Sequence, residues 1–338
     1  MTDIRINRRQ FGLTLGAAAG TAGFAAGLAS GLAPGFASRA FAAGSPDLSG
    51  VTLRIGDQTG NTRATLEAAG LLKDVPYQIE WSVFPAAVHL HEALKADAAD
   101  IGASADAPAL SAIAGGSKIR FAGAWSNGGL GTAIIVPKDS PIQTLADLRG
   151  KTISPTTRGS IGHFITLTAL KQAGLTPDDV KLAFLNPTDA SAAFQSGDID
   201  AWATWSVYIA RSVGQLGARV LISGEKGLTS GLFIYNITDK ALQDPGKVAA
   251  TREFLDRWDR AYAWTRENKE DWLTFYQAWA KQERPIAEAL YPSYAGYERQ
   301  ALDERLTTTV QNTYDVWKQA GVLTADIDIP ALITKAAS

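Results

Sequence analysis

The strongest constraint on the fold is an alternation of short apolar runs with helical patterns that begins at Val51. Strand-like runs separated by helical segments are typical of parallel sheets with crossover helices. Two such cycles occur, and they are joined by extended crossings at 132–136 and 231–238. Beyond the second crossing the pattern is helical. The sequence therefore predicts an α/β protein with two lobes, each a sheet flanked by helices, and a helical C-terminal region.

The boundaries of the elements follow from apolar periodicity and turn residues. The predicted strands are 51–56, 77–84, 100–104, 119–125, 132–136, 152–154, 182–185, 201–204, 219–222 and 231–238. The predicted helices of the two cycles are 61–72, 85–97, 106–114, 145–148, 161–173, 189–196 and 207–213. We assign 43–135 and 231–338 to one lobe and 136–230 to a second lobe inserted in it. Ligands of such folds bind beyond the carboxyl ends of strands, so a cleft between the lobes is expected to hold the site.

The first 42 residues are predicted to be a twin-arginine signal peptide. Arg8 and Arg9 precede a stretch rich in Gly, Ala and Leu, and 40–42 reads Ala-Phe-Ala, a typical cleavage site. Many glycines and Pro34 disfavour a membrane-spanning anchor. The mature protein is expected to begin near residue 43 in the periplasm.

Composition excludes several classes of function. The chain has no cysteine, which excludes disulfides, thiolate metal sites and cysteine nucleophiles. Residues 43–338 carry 28 basic and 33 acidic residues without a basic run, so no nucleic-acid footprint is present. Three histidines, no metal-spaced cluster, no Gly-x-Ser-x-Gly motif and no dinucleotide fingerprint leave little for catalysis or a cofactor. We expect no enzyme and no cofactor, with an exported hydrolase as the less favoured alternative.

One segment, 151–174, has the pattern of an anion-binding turn: a short strand, a Gly/Ser/Thr loop and a helix. The first N–H groups of a helix lack intrahelical partners, and the macrodipole adds positive charge there. Ser160 is suited either to cap this helix or to bind an oxyanion, and Arg158 would add a forked cation. An ordinary βα turn that binds nothing explains the same pattern.

Five motifs in order resemble the periplasmic substrate-binding proteins of ABC importers for aliphatic sulfonates, a group with taurine-, nitrate- and pyrimidine-binding relatives. The motifs are EWSVFPA with EAL (80–86, 92–94), ADIG with SADAP (99–102, 104–108), VPKDSPI with LADLRGK (136–142, 145–151), GSIGH (159–163) and SGDIDAWATW (196–205). The resemblance covers about 53–219. It implies a type II periplasmic binding protein fold and capture of an organosulfonate by lobe closure, with delivery to an inner-membrane permease. The sequence shows no sign of an obligate oligomer, so a monomer is expected.

The resemblance also implies a set of ligand-binding positions. They are Gln58, Thr59, Ser104, Ala105, Asp106, Arg158, Gly159, Ser160, His163 and Trp205. Trp125 ends a predicted strand and is expected to line a pocket for the organic tail, whereas alternation along 201–205 favours the core for Trp202. No metal site is expected, because His89 and His91 would lie on different helix faces.

Two departures from the family pattern keep the ligand open. Asp57 stands where the family often has an aromatic residue, and Ser206-Val207 replaces Asp-Pro. A carboxylate beside an anion site costs affinity unless it meets a cationic part of the ligand. Taurine, nitrate, a sulfate ester and a thiamine-type pyrimidine therefore remain alternatives, and a sensor role is not separated from import.

An aromatic stripe occurs in the C-terminal region, where four rings recur at i, i+3, i+4 and i+7. They are Trp272, Phe275, Tyr276 and Trp279. This spacing places them on one helix face, and we predict that the stripe packs in the core and does not form a ligand cage.

Overall fold

The computed structural model describes residues 47–336, so the predicted signal peptide lies outside the described residues. Two mixed sheets organise this part of the chain, and helices flank both. The predicted α/β class is confirmed.

The first sheet has six strands in the order β11-β4-β10-β3-β1-β2. They are β1 (Thr52–Gln58), β2 (Gln78–Phe84), β3 (Ile101–Ala105), β4 (Ile119–Ser126), β10 (Leu232–Thr238) and β11 (Glu298–Gln300). Strand β1 is parallel to β2 and β3, whereas β10 is antiparallel to β3 and β4. The return strand β10 therefore completes the sheet that the N-terminal cycle begins.

The second sheet has five strands in the order β7-β6-β8-β5-β9. They are β5 (Thr132–Val136), β6 (Thr152–Ser154), β7 (Lys181–Leu182), β8 (Ala201–Trp205) and β9 (Arg219–Ser223). Strand β6 is parallel to β7 and β8, and β5 is antiparallel to β8 and β9. The change of sheet falls at 127–131, so a lobe boundary at 135 would cut β5.

Twelve α-helices surround the sheets within residues 47–336. They are α1 (Asn61–Ala68), α2 (Ala87–Lys95), α3 (Asp106–Ala114), α4 (Ile161–Gln172), α5 (Pro187–Ser196), α6 (Val207–Leu216), α7 (Asp239–Leu242), α8 (Pro245–Glu267), α9 (Lys269–Ala280), α10 (Arg284–Ala295), α11 (Glu304–Gln319) and α12 (Ile329–Leu332). Two 3-10 turns lie at Leu145–Leu148 and Pro177–Asp179. None of these helices is long and apolar enough to cross a membrane.

Apolar periodicity explains which faces are buried. Helix α8 packs Phe254, Leu255 and Trp258 in one core with Leu53 and Ile55 of β1. A second core joins elements of both sheets, because Trp317 of α11 contacts rings of α4 and donates its Nε1 hydrogen to the carbonyl of Ala107 at 3.0 Å. Full burial of such large side chains stabilises each by about 1.5–3 kcal/mol.

Two details differ from the sequence prediction. The C-terminal region is not wholly helical, because β11 pairs with β4. A three-residue strand is too short to show a period of two, so only its partner reveals it. Strand β7 is Lys181–Leu182 and shares only Leu182 with the predicted strand 182–185. The amides of Ala183 and Leu185 each donate one further hydrogen bond, to the carbonyls of Ile153 and Thr156.

The two chain crossings between the sheets lie against each other at glycines. Gly231 has φ +68°, and a Cβ there would lie 2.1 Å from the backbone nitrogen of Gly129. The amide of Asn127 donates to the carbonyl of Gly231 at 3.3 Å. Only glycine satisfies both the left-handed backbone and this close approach.

Candidate functional site

A cavity of about 470 Å³ lies where the first turns after β1, β3, β6 and β8 meet the C-terminal helices. Gln58 and Thr59 follow from β1, Ala105 ends β3, and Ser160 precedes α4. The cavity is thus built at carboxyl ends of strands from both sheets, as expected for an α/β fold. Its volume falls within the range of about 300–1,000 Å³ that is usual for small-molecule pockets.

The start of α6 forms one wall of this cavity. Strand β8 ends at Trp205, and Ser206 turns the chain with φ 51° and ψ −130° into the helix. The Ser206 hydroxyl lies 3.0 Å from the Tyr294 hydroxyl and does not cap α6. Val207 and Tyr208 of the first turn line the cavity. The positive end of the α6 dipole therefore borders the cavity without a capping side chain.

Arg211 lies one turn into the same helix and also lines the cavity. It is the only charged residue in the cavity lining. Its side chain is exposed, and it forms no ion pair or hydrogen bond with any residue within 47–336. An unpaired guanidinium beside a helix N-terminus is suited to bind a planar or tetrahedral oxyanion by forked hydrogen bonds.

Aromatic residues make up much of the remaining lining. Tyr276 contacts Trp279 and Tyr294, with ring centroids 5.6 and 5.8 Å apart, and Phe233 contacts Tyr297 at 5.7 Å. Burial raises the pKa of the Tyr276, Tyr294 and Tyr297 hydroxyls. These groups therefore stay neutral at physiological pH, and the Tyr294 hydroxyl is engaged with Ser206 and Tyr276.

The structure brings five of the predicted ligand residues to the cavity. They are Gln58, Thr59, Ala105, Ser160 and Trp205. The Ser160 hydroxyl is already engaged, because it accepts from the His163 amide and donates to the Pro155 carbonyl, each at 3.2 Å. The Ser160 hydroxyl therefore caps α4 and is not free to bind an oxyanion as a second role.

The other residues of the predicted anion turn lie outside the cavity lining. Arg158 is exposed and places its guanidinium carbon 4.1 Å from the centroid of the Phe184 ring. The Gly159 amide donates to His163 Nδ1 at 3.3 Å. The His163 ring packs against Phe184 and Trp317, and burial lowers its pKa to about 4. We call this start of α4 closed, because Ser160 caps it and the side chains of Arg158 and His163 contact rings outside the cavity lining.

Three further predicted residues are buried instead of lining the cavity, which corrects their assignment. Ser104 Oγ lies 2.8 Å from His91 Nε2, and its side chain is inaccessible. The Asp106 carboxylate accepts hydrogen bonds from Ser230 and Thr313, each at 2.7 Å.

Trp125 is likewise fully buried, and its Nε1 hydrogen bonds to Asp259 at 3.0 Å. It supplies no surface for a ligand tail, because it packs in the core beside α8, and a bulge between Phe121 and Gly123 interrupts the alternation of β4. Trp202 is also fully buried, as the alternation along β8 predicts.

Asp57 is a buried helix cap and does not line the cavity. Its carboxylate accepts from the amides of Thr62 and Arg63 at 3.1 and 2.9 Å, and only 1% of the residue is exposed. Burial raises its pKa to about 6. The carboxylate occupies the start of α1 that an anion would otherwise need, and it is not available to a cationic ligand group.

The sequence analysis missed Arg211. The aromatic stripe packs in one core as predicted, with Trp272 and Tyr276 buried and Phe275 and Trp279 packed against them. Tyr276 and Trp279 also line the cavity, which the sequence did not predict. The available signal for Arg211 was its position one turn after a strand-to-helix junction. Within residues 47–336, no group of His, Asp or Glu is arranged to hold a metal ion.

Comparisons with known proteins agree with this architecture. A family model described as "ABC transporter, phosphonate, periplasmic substrate-binding protein" matches residues 62–220. A curated protein of Escherichia coli (strain K12), whose name gives aliphatic sulfonates as what it binds, is 38% identical over 184 residues. That alignment covers 54% of this chain and 57% of the relative, so it spans less than two thirds of that protein.

Among solved structures, the periplasmic aliphatic sulphonate binding protein SsuA from Escherichia coli is 29% identical, with a TM-score of 0.75 and coverage of 86% of this chain and 92% of that one. The desulfurization enzyme DSZB shares the fold at 16% identity and a TM-score of 0.57, over 84% of this chain and 96% of that one. The more similar relatives are thus named as binding proteins, and the same fold also carries an enzyme.

Proposed function

We propose that this chain captures an organosulfonate in its cavity and delivers it to a permease, and its similarity to periplasmic substrate-binding proteins supports this proposal. The unpaired Arg211 beside the uncapped start of α6 carries this proposal. A sulfonate group presents three oxygens with one negative charge, which match a forked cation and free amides.

The energetics are sufficient for a transport protein. Hydrogen bonds to charged groups contribute about 1.5–3 kcal/mol each. Three or four of them, together with contacts to the tail, reach the approximately −8 kcal/mol of micromolar binding after association costs.

The cavity lining also separates the alternative ligands. No carboxylate lines the cavity, since Asp57 is turned into α1, so neither the ammonium of taurine nor a pyrimidinium has an anionic partner there. The aromatic walls are of no use to nitrate, which has no apolar part. A sulfate ester offers the same anionic head and stays an alternative within the test.

A hydrolase is disfavoured by the same lining. Catalysis of hydrolysis needs a nucleophile with a base, a metal or a carboxylate pair. The cavity-lining residues include serines and threonines but no histidine and no carboxylate. The lining is therefore suited to binding.

Capture is proposed to occur by closure of the two lobes about the glycine-rich crossings at 127–131 and 224–231. Closure expels water from the cavity and so strengthens the polar contacts. In the same proposal residues 1–42 direct export by the twin-arginine route, and the mature protein acts as a monomer in the periplasm.

Thermal unfolding of the mature protein with a ligand panel tests the function. The panel contains alkanesulfonates, aryl sulfonates, a sulfate ester, taurine, nitrate, sulfate and a pyrimidine. A ligand that binds only the folded state raises the melting temperature by mass action. Organosulfonates are expected to stabilise and inorganic sulfate is not. Stabilisation by nitrate or a pyrimidine alone would contradict the proposal.

A further inference from the structure

Six half-buried aromatic side chains line the cavity. They are Trp205, Tyr208, Phe233, Trp279, Tyr294 and Tyr297. Their partial exposure distinguishes them from Trp272 and Trp125, whose rings are fully covered. Apolar ring surface left accessible in a concave site marks a place for a ligand's apolar part.

The rings come from two sides of the cavity. Trp205 and Tyr208 flank the turn that leads into α6, and their centroids are 6.1 Å apart in an edge-to-face arrangement. Trp279 and Tyr294 come from α9 and α10, and both contact Tyr276. Tyr208 lies one turn before Arg211 on the same helix, so aromatic walls begin next to the cation.

Branched aliphatic side chains are fewer in the lining than rings. They are Leu130, Ile161 and Val207. A flexible alkyl tail is satisfied by any apolar surface, whereas an aromatic tail gains from rings at offset or edge-to-face geometry. A lining built from several rings in edge-to-face and tilted contacts therefore favours an aromatic tail.

Building on the proposed function, we propose that the preferred ligand is an arylsulfonate. Its sulfonate binds Arg211 and the first turn of α6, and its ring lies between the Trp205–Tyr208 pair and the rings of α9 and α10. Part of the aromatic lining around the ligand's ring therefore lies on α9 and α10, outside the region 62–220 matched by the family model.

The test is isothermal titration of the mature protein with three matched compounds: benzenesulfonate, cyclohexanesulfonate and neutral benzenesulfonamide. Benzenesulfonate is expected to bind about tenfold more tightly than cyclohexanesulfonate, the ratio that two ring contacts of the usual strength would give. Benzenesulfonamide is expected to bind weakly, because it lacks the charge.

Substitution of Trp279 tests whether the aromatic lining causes the preference for benzenesulfonate over cyclohexanesulfonate. Trp279→Leu removes one of these two ring contacts and is expected to weaken benzenesulfonate about threefold while leaving cyclohexanesulfonate affinity nearly unchanged. Trp279→Phe keeps a ring and should retain most of the preference. Trp81→Leu is the matched control, since Trp81 is half-buried on β2 and outside the cavity lining. Circular dichroism melts confirm that each variant is folded.

The outcomes separate the two proposals. Equal affinity for the two sulfonates, or equal weakening of both by Trp279→Leu, overturns the arylsulfonate inference while organosulfonate binding stands. Failure of both ring sulfonates to bind overturns the arylsulfonate inference, and the proposed function itself is overturned only if the alkanesulfonates of the thermal panel also fail to stabilise the protein. Loss of the preference in Trp279→Phe would also contradict a role for the ring.

Discussion

Helices α4 and α6 both begin after a strand of the five-stranded sheet, yet their first turns differ in what they leave free. At α4 the Ser160 hydroxyl caps the helix and the neighbouring His163 and Arg158 are packed on rings. At α6 the Ser206 hydroxyl pairs with Tyr294, and Arg211 has no partner within the described chain. The start of α6, which has no side-chain cap, is therefore the one that we propose to bind the anion.

The start of α1 is a third helix start, which the buried carboxylate of Asp57 caps. It gives the largest expected effect on stability. Burial raises the Asp57 pKa from 3.8 to about 6, so the folded protein binds its proton more tightly than the unfolded chain. This contribution to stability is fully present below pH 4 and is lost as pH rises to 6, by about 3 kcal/mol. Asp57→Asn should remove this loss.

Urea unfolding of the wild-type protein and of Asp57→Asn at several pH values measures this pH-dependent loss of stability. The free-energy difference between the two proteins should shift in favour of the variant as pH rises from 4 to 6. Asp106 is also buried with a raised pKa, but it is present in both proteins and cancels. A difference that is constant with pH would show that the carboxylate is not desolvated.

The open start of α6 is tested by Arg211→Ala. Loss of charge-assisted hydrogen bonds of about 1.5–3 kcal/mol predicts sulfonate binding weaker by about 10–100-fold. Arg158→Ala is the control, because it removes the same charge from the closed start of α4, and its affinity should stay within about twofold. Titration calorimetry of both variants decides which helix start binds the sulfonate. A larger loss of affinity in Arg158→Ala than in Arg211→Ala would assign the sulfonate to α4 and not to α6.

The closed start of α4 also predicts a steric effect. A Cβ at Gly162 would lie 2.6 Å from the Ala203 carbonyl oxygen and 2.8 Å from that of Pro155. Gly162→Ala is therefore expected to lower the free energy of unfolding by about 2 kcal/mol, despite the better helix propensity of alanine. The propensity term alone is measured by comparing Lys171→Ala with Lys171→Gly, because Lys171 is exposed in the same helix.

Removal of the α4 cap has the smallest effect. Ser160→Ala should cost about 1 kcal/mol of stability, the usual contribution of an N-cap. Sulfonate affinity should change by less than about twofold, since the hydroxyl already bonds to the Pro155 carbonyl and the His163 amide. Thermal melts and calorimetry on one preparation measure both. Strong weakening of sulfonate binding with unchanged stability would indicate that the anion binds at the start of α4 and not at α6.

Local pattern was sufficient for most of the fold. Apolar alternation placed ten of the eleven strands and the helices of both cycles, because burial of one face imposes a period on the sequence. It missed β11, whose three residues form a strand only because β4 lies beside them. The buried position of Trp202 followed from alternation, whereas Trp125 at the end of β4 was misassigned.

The sequence by itself determined the α/β class, the resemblance to a transport family and the turns that reach the cavity, such as Gln58 and Ser160. Tertiary structure alone decided which turn stays open. Whether Ser160 or Ser206 caps its helix depends on distant partners such as Tyr294, and the aromatic stripe becomes a wall only where α9 meets the cavity. The Ser206–Tyr294 contact joins residues 88 positions apart, and no local period encodes it.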